Sequence, residues 1–280
     1  MALKIVVDSS SSFTQEDAKR LNITILPLKI IFGEKSYQDG IDINCEQFYQ
    51  KLVSSNEFPK TSLPNLYDVE KLVQTAKENQ DTIFFITLSS KISGTYQAIK
   101  NICSNYENAY VFDSLSTLDA MQYLVECILK NKEKDPKELI KLLEDVRNRT
   151  HIIAAVDTLE YLHKGGRVSK TVSIAGSILN IKPLINVEGG TVNVFAKKHG
   201  INKSIQCIKD TILENYEFDD NYIIHPIYSM NKENLDKMLN YFKEKNIFKN
   251  QKIATSSNLA PVIGAHVGPG AFGLIFVAKK

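Results

Sequence analysis

Through its first half this sequence repeats one pattern: a short run of Val, Ile and Phe, a polar loop, then an amphipathic stretch of helix length. A chain patterned in this way folds as a parallel sheet wrapped by helices, because each strand must return to the same sheet edge through a covering helix. The expected strands are residues 4–7, 24–32, 82–88 and 109–112, and the expected helices are 15–21, 45–54, 66–78, 94–104 and 118–130. In such Rossmann-like sheets ligands bind at the carboxyl ends of the strands, which directs attention to the loops 8–12, 88–93 and 113–117. All three are rich in hydroxyls.

A helix over 136–149 and a strand over 151–156 lead into a second unit, with the boundary placed near 150, so that 1–150 and 151–280 form two α/β domains. Helices are expected at 156–163, 168–179, 201–214 and 231–245, and strands at 181–186, 191–196, 222–228 and 273–277. The turn Val187-Glu188-Gly189-Gly190 suits a hairpin, which makes this second sheet mixed instead of strictly parallel.

Composition narrows the function classes. A chain of 280 residues with 43% hydrophobic and 24% charged residues is globular and buries a sizeable core. The net charge is only +2, and no run of cations is longer than Lys197-Lys198 or Lys279-Lys280, so nucleic acid is excluded as a partner. The four cysteines lie far apart, no C-x-x-C pair occurs and no paired histidines supply metal-ligand spacing. They read as reduced, mostly buried thiols. The apolar stretch at the N-terminus is too short for a signal peptide and reads as the first strand. The longest strongly apolar segment, 82–88, falls far short of the ~20 residues a membrane span needs. A cytoplasmic protein with at most transient membrane contact is expected.

Three hydroxyl clusters precede helices. Ser93 lies at or beside the N-cap of the helix expected from residue 94, where free amides and the helix dipole favour an anion; it could equally cap its own helix. Thr61 and Ser62, bracketed by Pro59 and Pro64, precede the helix from Leu66 and could likewise form a capping turn. In the run Asp8-Ser9-Ser10-Ser11-Ser12 the acidic residue argues against direct contact with an anion, and Ser12 or Thr14 suits the following N-cap. Lys164 and Arg167 flank Gly165 and Gly166, an arrangement open to two readings: a docking point for an anionic partner, or a glycine-capped helix end. Residues Gly268 to Gly273 spell G-x-G-x-x-G, but a strand-like segment follows them where the dinucleotide fingerprint needs a helix. His266, among these glycines, could donate to a carboxylate. No G-x-S-x-G elbow or Walker A loop occurs, and Ser229-Met230-Asn231-Lys232 matches S-x-x-K without its companion motifs.

These segments, in this order, resemble the DegV family: VVDSS from Val6, PLKIIFGEKSYQDGID from Pro27, KTSLPN from Lys60, TLSSKISGTYQAI from Thr87, LEYLHKGGRVS from Leu159, LNIKPLI from Leu179 and APVIGAHVGPGAFG from Ala260. The resemblance implies two α/β domains and a long-chain fatty acid whose tail occupies an apolar tunnel. It implies that Thr61, Ser62 and Ser93 hold the carboxylate, with His266 close by, and that no cofactor or metal is needed. It further implies a passive carrier that presents the carboxylate to a separate ATP-dependent fatty acid kinase subunit. The acyl-phosphate then passes to an acyltransferase and on to phospholipid synthesis. Lys164 and Arg167 are the candidates for kinase docking. Lys197-Lys198-His199 stands where relatives often carry arginines, which lowers the bidentate capacity there. Leu28, Ile30, Phe32, Ile92 and Ile178 are candidates to line the tail or to serve as ordinary core. The alternative is a stand-alone hydrolase or transferase with Ser93 as nucleophile and His266 as base.

Overall fold

A computed structural model describes residues 2–168 and 180–280. The chain divides into two compact units, Met1–Asn148 with Ala260–Val262, and Arg149–Leu259 with Ile263–Lys280.

The first unit contains, in order, β1 (Leu3–Asp8), a 3-10 turn (Ser9–Ser11), α1 (Gln15–Leu21), β2 (Thr24–Leu26), β3 (Lys29–Phe32), β4 (Lys35–Gln38), α2 (Cys45–Ser54), β5 (Lys60–Ser62), α3 (Leu66–Glu78), β6 (Thr82–Thr87), α4 (Thr95–Cys103), β7 (Ala109–Asp113), α5 (Ala120–Lys130) and α6 (Pro136–Arg149). Four of these strands form the expected parallel sheet, ordered β2-β1-β6-β7. Val6, Ile83 and Phe85 point to one face, where Val69 and Val73 of α3 and Ile99 of α4 bury them. Alternate residues Val7, Phe84 and Ile86 are also buried, as both faces of a helix-wrapped sheet require.

The single strand expected over 24–32 is two strands in two sheets. Pro27 has no N–H to offer a ladder. At Leu28 the amide donates to Ser9 Oγ at 3.1 Å, and the carbonyl accepts the Asp39 amide at 2.9 Å. The chain thereby leaves the parallel sheet and enters a three-stranded antiparallel sheet, β4-β3-β5. Neither β4 nor β5 was expected from the sequence.

The second unit contains β8 (Thr150–Ala155), α7 (Glu160–Lys164), β9 (Ile181–Glu188), β10 (Thr191–His199), α8 (Ile201–Asn215), β11 (His225–Tyr228), α9 (Glu233–Glu244), β12 (Ser257–Asn258), α10 (Pro261–Val267), whose first two residues belong to the first unit, and β13 (Phe272–Val277). Its sheet, ordered β10-β9-β8-β13-β11-β12, is mixed: every pairing is antiparallel except β11 with β12. Ile205, Ile208 and Ile212 of α8 and Leu235, Met238 and Phe242 of α9 cover Ile153, Leu184, Leu274 and Phe276 on one face. Gly273 lets β13 lie close to β8, because a Cβ there would meet the Ile153 carbonyl and come within 2.6 Å of the Ala154 Cβ.

Two expectations change here. The helix placed over 156–163 is reduced to Glu160–Lys164, opened by the Thr158 hydroxyl, which accepts the Glu160 amide at 3.1 Å. The glycine-rich segment before β13 is not wholly a loop: α10 occupies Pro261–Val267, and a proline at the first helical position was the signal for it. The helix expected over 168–179 and the lining candidate Ile178 lie outside the described residues. No helix among the described residues is long and apolar enough to cross a membrane.

Candidate functional site

From β1 the chain moves to β2 on one side and later to β6 on the other, so a topological switch point lies between β1 and β6. Crevices at such points, at the carboxyl ends of the strands, are where open α/β sheets bind ligands. The loops that meet there are laced together. Asp8 Oδ2 accepts the Leu88 amide at 2.7 Å, Ser89 donates its amide to the Ser116 carbonyl at 2.9 Å, and Asp113 Oδ1 accepts the Ser90 amide at 3.0 Å. Asp8 also accepts from the Ser10 amide at 3.0 Å and the Ser10 hydroxyl at 2.5 Å. Burial pushes its carboxyl up to about 6, against these bonds. Asp8 thus turns inward and braces the loop.

Ser93 stands one residue before Gly94, which holds the N-cap position of α4 with no side-chain bond of its own. The Ser93 hydroxyl accepts the Thr95 amide at 3.2 Å and shares a 2.9 Å bond with the Thr95 hydroxyl. Ser93 therefore serves the first amide of α4 from the position before its N-cap. When Thr95 donates to it, the Ser93 proton remains available to an acceptor from outside.

Thr61 and Ser62 are not caps. They form the end of β5, and the N-cap of α3 is Asn65, whose Oδ1 accepts the Tyr67 amide at 3.2 Å. Thr61 lies directly opposite Ile30 in the β3–β5 ladder, so both point to the same face of the small sheet. Ile30 is fully buried, as are Leu28 and Phe32 along the same alternation, and the Phe32 ring packs 6.0 Å from that of Phe48 on α2. A hydroxyl beside an apolar wall is an environment matched to an amphipathic ligand. Ser62, the next residue on the strand, points to the opposite face. The side chain of Leu63 lies 3.7 Å from where a Cβ at Gly94 would stand, so the 61–63 and 93–94 segments adjoin.

His266 occupies the last turn of α10 in the second unit. Burial, then the charge of Arg167, pushes its imidazole down to about 4, leaving it neutral at physiological pH. Gly165 makes this packing feasible, since any Cβ there would collide with His266 Nδ1. Arg167 donates to the Gly165 carbonyl, and Lys164 pairs with Glu160 at 2.6 Å. Gly166, at φ 70°, terminates α7 in the left-handed conformation of a glycine-capped helix end. The formal G-x-G-x-x-G follows a helix and precedes strand β13, the reverse of the order a dinucleotide site needs.

Neutral hydroxyls, a helix start and an apolar wall suit holding an acid. They are poorly suited to nucleophilic catalysis: an imidazole at about 4 beside a guanidinium is a weak base. Among the described residues no group of three or more His, Cys, Asp or Glu could hold a metal ion.

The family model described as "Uncharacterised protein, DegV family" matches residues 2–279. A DegV domain-containing protein of Halalkalibacterium halodurans is 31% identical over 283 residues, covering 99% of each chain. A DegV lipid binding protein from Thermotoga maritima has a TM-score of 0.86 at 26% identity, covering 100% of both chains. A fatty acid (stearic acid)-binding protein from Eubacterium ventriosum has a TM-score of 0.84 at 26% identity, covering 99% of this chain and 98% of that one.

Proposed function

Because this chain belongs to the DegV family, we propose that it binds one long-chain fatty acid by its carboxylate, using the hydroxyls of Thr61 and Ser93 with Ser62 adjacent, and carries that acid without transforming it. The observation that carries this reading is Thr61 itself. Its hydroxyl is not the cap of α3, a role that belongs to Asn65, and it shares a face with the buried Ile30. The stearic acid bound by the Eubacterium ventriosum relative is a ligand of the corresponding kind.

Hydroxyls hold a carboxylate without the tight ion pair that would tie up its lone pairs, so the bound oxygen stays able to attack a phosphoryl group. Most of the affinity comes from the tail, at about 0.8 kcal/mol for each methylene transferred from water into an apolar tunnel. The partner that fits this chemistry is a separate ATP-dependent kinase that phosphorylates the presented carboxylate, followed by an acyltransferase that consumes the acyl-phosphate for phospholipid synthesis. Lys164 and Arg167 remain the docking candidates.

Native mass spectrometry of protein purified from bacteria tests the reading. A co-purifying fatty acid is expected, and its mass reports chain length and unsaturation. Ligand-free protein that also refuses added acids overturns it.

A further inference from the structure

Asp39 follows β4 and is 2% exposed. Its Oδ2 accepts the Ser9 hydroxyl at 2.9 Å, and Ser9 Oγ in turn accepts the Leu28 amide at the crossing from β2 to β3. The same carboxyl accepts the backbone N–H of Val262, the second residue of α10. Pro261 before it has no N–H, so this bond serves one of the few donors of that first turn. One buried carboxyl therefore joins three segments of the first unit: the loop after β1 at the switch point, the small sheet that carries Thr61, and the start of α10.

From this geometry we infer that Asp39 is a positioning residue of the carboxylate site, its ionised carboxylate holding the start of α10 and the three-stranded sheet in register with the loop after β1. The inference rests on the fatty-acid reading above. A buried carboxylate is an expensive way to accept two hydrogen bonds, and the groups facing it do not relieve the cost. Asp8, at the end of β1, adds a like charge. Cys45, in the first turn of α2, is pushed up to about 11 and stays neutral. Burial and Asp8 together push Asp39 up to about 7, within the physiological range. Protonation would turn one of its oxygens into a donor, confronting the donors from Ser9 and Val262.

The test is displacement of a fluorescent stearic acid analogue by stearic acid between pH 6.5 and 8.5, for wild type, Asp39→Asn and Asp39→Ala. The ligand's own carboxyl, with an ordinary value near ~4, is ionised throughout that window, and Asp8, at about 6, is largely so. Wild-type affinity should rise severalfold from pH 6.5 to 8.5. Asp39→Asn, which keeps the shape and one acceptor, should show a flat profile that meets wild type only at the acid end. Asp39→Ala should bind at least ~10-fold more weakly at pH 8.5. Wild-type affinity that is independent of pH, or an Asn variant indistinguishable from wild type across the range, overturns the inference even if the Ala variant does not fold. Wild-type protein that binds no stearic acid at any pH overturns the fatty-acid reading itself.

Discussion

Replacing His266 with Gln removes a titrating group that the fold pushes down from the usual 6.5 to about 4, by burial first and by the Arg167 charge second. A histidine depressed in the folded state contributes stability above its unfolded pKa and loses it as pH falls toward the folded value, because the unfolded chain takes up the proton first. Between pH 7 and pH 4 the unfolded chain gains about three quarters of a proton at this position, whereas the folded protein reaches half occupancy only at the bottom of the range. Integrating that difference gives about 3 kcal/mol lost by wild type relative to His266→Gln over those units. Urea unfolding of both proteins at pH 7, 6, 5 and 4 measures it. Subtracting the two curves cancels Asp8, Asp39 and every other group common to both. A gap between the proteins that stays constant with pH would falsify the argument. A gap that moves in wild type's favour on acidification would mean that His266 is held protonated, which would restore an acid–base role for it.

Thr61→Ala should weaken fatty-acid binding about 10- to 100-fold, the cost of a hydrogen bond to a charged group, while shifting stability by less than about 1 kcal/mol; displacement titration and urea unfolding report the two. Asn65→Ala is the converse: loss of the α3 cap should cost about 1 kcal/mol with affinity unchanged, and a drop in affinity would show that the cap belongs to the ligand site. Gly273→Ala forces a methyl group onto the Ile153 carbonyl and Ala154 at the β8–β13 pairing, so the urea midpoint should fall by the equivalent of about 1–3 kcal/mol; an unchanged midpoint would refute the close approach of these strands.

Elements whose signals are local were legible in advance. Asn44 and Gln47 form a reciprocal capping box at the start of α2, Pro136 opens α6, and the apolar run of β6 is unbroken, so each could be placed from a few neighbouring residues. The same reasoning passed through Pro27 as if the strand continued, since what turns the chain there is Ser9 and Asp39, which are remote in sequence. It also took residues 60–62 for a turn. Three residues form a strand only when a partner offers a ladder, and β3 is that partner.

The hydroxyls of the proposed site show where the division falls. Periodicity and turn chemistry by themselves determined that Thr61, Ser62 and Ser93 stand just ahead of helices in an α/β chain. They did not determine which of these hydroxyls a helix would consume, because capping and ligand binding ask for the same atoms. Tertiary structure shows the local partners: Ser93 accepts the first amide of α4, Asn65 caps α3, and pairing with β3 turns Thr61 to the face of the buried Ile30. It decided His266 in the same way, since the imidazole's charge state follows from burial and from Arg167, a residue about a hundred positions away that only folding brings near.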